Sequence, residues 1–186
     1  SGGWIRDLDL AAWGLGTDSL PTRITARGGL GLPDDQPMTV TCEFSTGQLL
    51  VFERKTSGTI GHFGPESGSV FYGTEGYMTF SQNGAFRVFL GPRSEPGPMG
   101  GHDSRDEIGE REHLLDFLNA VLLRTPARAN ATVAHRTCGL AHLALIAMRV
   151  NARLEFDPGN ARFVKNDLAN RLLTEGYRSS PVLTDA

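Results

Sequence analysis

The groups that could transfer a proton include five histidines and, near the start of the chain, the carboxylates of Asp7 and Asp9. His62 lies in a Gly-, Ser- and Thr-rich stretch, 56–68, long enough to act as a binding loop. His135 and His142 stand seven apart in an apolar run, whereas metal-binding pairs on a helix usually stand four apart. His142 therefore reads as a core residue. His135 reads as a hydrogen-bonding residue near a helix start, at a sheet edge where it can face a cleft. His113 opens another helical pattern and reads as an interhelix hydrogen-bonder. Asp7 and Asp9, preceded by Arg6, are two apart, so on a helix their carboxylates point to opposite sides. That separation does not suit the facing carboxylate pair of a glycosidase. Their plainest role is negative charge near a helix N-terminus, which the macrodipole favours.

Several chemistries lack their signatures. A dinucleotide cradle needs GxGxxG between a strand and a helix. The glycines at 28–31 and 97–101 have neither that spacing nor that context, and no P-loop is present. The chain is thus expected to bind neither NAD nor ATP by itself. The GxSxG nucleophile elbow is absent, and Glu66-Ser67-Gly68-Ser69 is only loosely similar. There is no CxxC pair, and Cys42 and Cys138 both read as buried free thiols. A net charge of −3, with arginines scattered and lysine only at Lys55 and Lys165, offers no nucleic-acid surface. No apolar run reaches the ~20 residues of a membrane span. The opening Ser1-Gly2-Gly3-Trp4 is not a signal peptide and reads as a cut inside something longer.

The 186 residues suffice for one domain, 1–186. A lead-in helix is expected in 1–20, where Leu8, Ala11, Ala12 and Leu15 form a stripe and Gly16 ends it. A strand meander is expected over 21–90: Thr22–Arg27, Met38–Ser45, Gln48–Arg54, Ser69–Tyr72, Tyr77–Phe80 and Ala85–Leu90, with hairpin turns at Thr46-Gly47 and Asn83-Gly84. The strand Gln48–Arg54 has apolar residues on both faces and reads as covered on both sides. Residues 91–109 read as a linker, and 110–186 as a helical layer and tail. That layer comprises Glu110–Arg124 with Leu114, Phe117, Leu118, Val121 and Leu122 on one side, Ala134–Val150, a short strand Leu154–Phe156, and Asn166–Glu175 with Leu168, Leu172 and Leu173 inward. The fold class is α+β: a mostly antiparallel open sheet of about six strands with helices packed on one face. An uncovered apolar face on such a sheet would be a partner surface.

Segments in this order resemble the Gfo/Idh/MocA oxidoreductases. DLAAWGLG (Asp9–Gly16) resembles that family's D-x-A-x-W-x-L-G helix. Asp34-Asp35-Gln36 with VTCEF and LLVFE is similar to its central hairpin, and FYGTEGYM to its YGTKGTL segment. EHLLDFLNAV, AHRTCGLAHLALIAMRVNARLEFDP and ANRLLTEGYRSS are similar to the ending of members with a longer C-terminal domain. The resemblance runs from Gly2 to Ser180. It implies a dihydrodipicolinate-reductase-like C-terminal domain that contacts a sugar or polyol substrate and forms a homo-oligomer through its open sheet face. NAD or NADP would be bound in the full-length protein by a Rossmann domain missing from this chain. Hydride would pass between a carbinol carbon and the nicotinamide, with the hydroxyl proton going to a Lys of an E-K-P motif or to a His.

Two departures bear on the site. The E-K-P lysine is missing, and the family's D-x-x-x-H-x-x-D lead-in is shortened. Counting back from Asp9 puts Arg6 where the His would stand, and arginine cannot act as a base at neutral pH. The resemblance therefore makes Asp7 the catalytic candidate, with Arg6, Asp9, His62 and His135 as substrate contacts. Two other readings stay open: a binding or scaffold module of the same fold, and a glycoside-processing hydrolase or lyase acting around His62.

Overall fold

The computed structural model describes residues 3–28, 37–54, 68–81, 84–101 and 107–174. The fold is α+β, with two antiparallel sheets and four helices among these residues. Helix α1 (Gly3–Leu15) leads into strands β1 (Arg23–Arg27), β2 (Met38–Glu43) and β3 (Leu49–Arg54). Strands β4 (Gly68–Gly73), β5 (Gly76–Ser81), β6 (Phe86–Leu90) and β7 (Glu95–Gly100) follow. Then come helices α2 (Glu107–Leu123) and α3 (Ala131–Val150), strands β8 (Arg153–Asp157) and β9 (Arg162–Phe163), and helix α4 (Asp167–Arg171).

The core lies between the five-stranded sheet β3-β2-β1-β8-β9 and the helices α1 and α3. Alternation in β1 turns Ile24 and Ala26 inward and Arg23, Thr25 and Arg27 outward. Ile24 sits opposite Cys42 of β2 on one side and Leu154 of β8 on the other, so three strands present one apolar row. On the outer face Arg23 Nη1 donates to Glu43 Oε2 at 2.6 Å. Helix α3 buries Leu140, Leu143, Ala144, Ile146 and Ala147 against this sheet. Burial of each Leu or Ile stabilises by about 1.5–3 kcal/mol. The helix has a defined start and stop. The Asn130 side chain accepts from the backbone N–H groups of Thr132 and Val133 at 3.0 and 3.1 Å. Asn151 ends it in the left-handed region, φ 50°, its N–H donating to Ala147 O at 2.8 Å.

The second sheet, β4-β5-β6-β7, is a plain meander. Its aromatics pair across strands: Tyr77 stacks on Phe89 with centroids 4.8 Å apart. None of its described side chains is buried, and none of those between Leu50 and Thr137 is. No helix among the described residues is long and apolar enough to cross a membrane.

Some expectations change. In place of one sheet of about six strands there are two sheets: the pairing chain breaks between β3 and β4, and the distant β8 joins the first sheet beside β1. The expected linker 91–109 contains β7. Its Pro96 and Pro98 argue against a strand, yet an edge position tolerates residues without N–H groups. Strand β3 is an edge strand covered on one face: Leu50 is buried while Leu49 and Val51 are exposed. The apolar side of α2 is not packed inward either, with Phe117, Leu118 and Leu122 at 57%, 53% and 77% exposure. On α3 the outward face carries Cys138 and His142, so neither is buried, and His135 shares that face while Asn130 does the capping. Helix α4 is shorter than expected; Ala169 is its buried residue and Leu168 is exposed.

Candidate functional site

Helix α1 meets the second sheet in a cleft of about 140 Å³, lined by Arg6, Asp7 and Leu10 of α1 and by Gly68, Ser69, Phe80 and Ser81. The helical period fixes which residues do this. Leu8, Ala11 and Ala12 are buried in the core. That rotation turns Asp7, Leu10 and Gly14, spaced three and four apart, toward β4 and β5. Gly14 makes the approach possible: a methyl group there would stand 2.2 Å from Cε1 of Phe71 on β4. The sheet side of the cleft is one end of the β4–β5 ladder, where Gly68 pairs with Ser81 and Ser69 with Phe80. Ser81 Oγ donates to Ala85 O at 3.0 Å, which fixes the end of β5.

Asp9 points elsewhere, as its two-residue offset from Asp7 requires. Its carboxylate accepts a hydrogen bond from the hydroxyl of buried Thr137 at 2.5 Å and so ties α1 to α3. The same junction is braced by Arg136, whose Nη1 donates to Thr17 O at 2.7 Å. Gln48 Nε2 donates to Leu15 O at 2.6 Å and anchors the end of α1 to the β2–β3 hairpin. These bonds fix the helix that presents Arg6 and Asp7.

The five site candidates thus divide. Arg6 and Asp7 come together in the cleft. Asp9 stands at the α1–α3 junction, and His135 is exposed on α3 without lining the cleft. His62 lies outside the described residues. Leu10, Ser69, Phe80 and Ser81 were not anticipated. The hairpin turn after Tyr72 implied the β4–β5 register, but nothing local announces that its far end docks on α1.

Chemically, the cleft sets a permanent cation, a carboxylate and two serine hydroxyls between the apolar walls of Leu10 and Phe80. Such a lining suits a small hydroxylated ligand: the carboxylate accepts from a hydroxyl and the guanidinium donates to oxygens. Asp7 is the group in it that can take a proton. Among the described residues no cluster of three or more His, Cys, Asp and Glu could hold a metal ion. All pairings of the described strands are antiparallel.

Residues 105–182 match a family model described as "Oxidoreductase family, C-terminal alpha/beta domain". No curated protein matches the chain. Among solved structures, an oxidoreductase from Agrobacterium radiobacter in complex with NAD+, L-tartaric acid and magnesium is similar, with a TM-score of 0.54 and 19% identity over 81% of this chain. A putative myo-inositol dehydrogenase from Sinorhizobium meliloti 1021 aligns over 81% of the chain with a TM-score of 0.46 and 14% identity. The chain spans 47% of the length of each of these proteins.

Proposed function

We propose that this chain, whose residues 105–182 match an oxidoreductase family's C-terminal alpha/beta domain, is a Gfo/Idh/MocA-type substrate-binding and oligomerisation domain of an NAD(P)-dependent enzyme. The substrate is a sugar, a polyol or a derivative of one. The nicotinamide, held by another domain, supplies the hydride acceptor or donor. Within this chain Asp7 takes the hydroxyl proton of the carbinol, Arg6 orients the substrate's oxygens, and Leu10 and Phe80 keep water from the bound end. The observation that carries the reading is the meeting of Arg6 and Asp7 with Ser69 and Ser81 in one cleft. The NAD+ and L-tartaric acid bound by the Agrobacterium protein support the cofactor and the polyhydroxylated class of ligand.

The exposed apolar residues of α2 and of edge strand β3 support self-association, which we assign to the open sheet face. The decisive test is reduction of NAD+ or NADP+ by a panel of sugars and polyols in the full-length gene product, with Asp7→Asn lowering kcat. Cleavage of a glycoside without nicotinamide would overturn the reading. Saturable, tight binding of NADH by residues 1–186 alone would contradict the assignment of the cofactor to another domain.

A further inference from the structure

We propose that Cys138 and His142, on the outward face of α3, together bind a borderline-soft divalent cation of the zinc type. Their spacing carries the inference. They stand four residues apart, the separation at which two side chains on a helix reach one metal ion, whereas His135 and His142 stand seven apart. Four residues bring the Cβ atoms to about 5–6 Å of each other. A zinc ion, about 2.3 Å from a thiolate sulfur and about 2.0 Å from an imidazole nitrogen, bridges such a pair.

Both side chains are open to an ion. Cys138 is a free, exposed thiol, and His142 is exposed one turn further on. Exposure is unusual for cysteine, which is among the residues most often buried. The helix beneath the pair is held from its other side. Leu140 and Ala141, between the two ligands, and Leu143 and Ala144, just after them, are buried in the core. Thr137, next to Cys138, donates a hydrogen bond to Asp9 on α1. These contacts fix the rotation of α3, so both ligands stay on the same side of a rigid element before any ion arrives.

The donor set selects the ion. A thiolate and an imidazole suit zinc and its neighbours, whereas magnesium and calcium take oxygen. Binding replaces the S–H bond of Cys138 with an S–metal bond and passes the proton to solvent, and His142 binds as the neutral imidazole. Among the described residues no cluster of three or more such ligands is present. Water therefore fills the remaining positions of the tetrahedron, and the ion exchanges with solution rather than acting as a permanent structural metal.

The test follows the rate at which a thiol reagent modifies Cys138 in the folded 186-residue chain, without metal and with zinc to saturation. Zinc should slow the reaction at least about tenfold, because the metal holds the thiolate that would react. Cobalt(II) should give the absorption of a thiolate-to-metal charge transfer, and magnesium should have neither effect. His142→Ala should weaken zinc binding at least about tenfold. His135→Ala, on the same exposed face but outside the pair, should leave it within about twofold. Circular dichroism of each variant checks that it folds. Zinc that leaves Cys138 as reactive as before overturns the inference. So does protection that survives His142→Ala unweakened, or that falls as far in His135→Ala.

Discussion

The ring of Phe71 on β4 lies against the backbone of Gly14 on α1, close enough that a methyl group at position 14 would meet its Cε1 at 2.2 Å. This contact joins a sheet with no buried residue of its own to the helix that the core holds in place.

Gly14→Ala therefore sets two effects in opposition. Alanine favours a helix by about 0.5–1 kcal/mol over glycine, less near a helix end. Displacing the Phe71 ring costs about 1–3 kcal/mol. In the native background the variant should lose about 1 kcal/mol in urea unfolding. In a Phe71→Ala background the same substitution should become neutral or stabilising, and that change of sign is what the double-mutant cycle measures.

Thr137 offers a second comparison. Its hydroxyl donates to the Asp9 carboxylate at 2.5 Å and lies 3.2 Å from Val133 O, so it keeps an acceptor when Asp9 is removed. Asp9→Ala should cost about 1.5 kcal/mol, the low end for a hydrogen bond to a charged group. Asp9→Asn, which retains an acceptor, should cost less. Thermal unfolding distinguishes them.

The two thiols should separate by reactivity. Burial pushes the Cys42 thiol from 9.0 up to about 12, while Cys138 is exposed on α3. At pH 8 a thiol reagent should titrate one equivalent in the folded chain and two after denaturation. The sign of the linkage follows: the folded state keeps the Cys42 proton after the unfolded state has released it. Stability should fall as pH rises from about 9 to about 12, by roughly 1.4 kcal/mol per unit. Cys42→Ser should remove that slope.

Helix α2 and helix α3 should respond in opposite ways to the loss of an apolar side chain. Leu118→Glu, on the exposed face of α2, should change the chain's folding free energy by no more than about 0.5 kcal/mol. Leu143→Ala, in the core beneath α3, should cost about 2–5 kcal/mol. Chemical denaturation at low protein concentration is the measurement.

What the sequence made legible was local. The Leu8-Ala11-Ala12 stripe, the Thr46-Gly47 turn and the period-two alternation of Arg23–Arg27 each follow from a few neighbouring residues, and each forms where expected. So does the opposition of Asp7 and Asp9, which separates a cleft residue from a brace at Thr137. What was illegible depends on residues far apart in the chain. The pairing of Thr25 with Arg153 adds a late strand to the edge of β1 that a plain meander would leave open, and no local pattern encodes it. β7 was hidden because Pro96 and Pro98 oppose a strand by propensity and are admitted by position alone. Cys138 and His142 look buried within an apolar run, but three-dimensional packing leaves their side of α3 uncovered.

The β1–β8 ladder also has a consequence for how the chain is made. The middle strand of the core sheet leaves the ribosome well before β8 and waits for its second neighbour until α3 has been synthesised. During that interval β4 to β7 are already available and can close as successive hairpins, although they contribute no burial to the finished core. Loop closure between distant segments is slow compared with hairpin formation. The nascent polypeptide should therefore expose Ile24, Val40 and Cys42 for longer than any other apolar row, and that row is where a ribosome-associated chaperone would be expected to hold it.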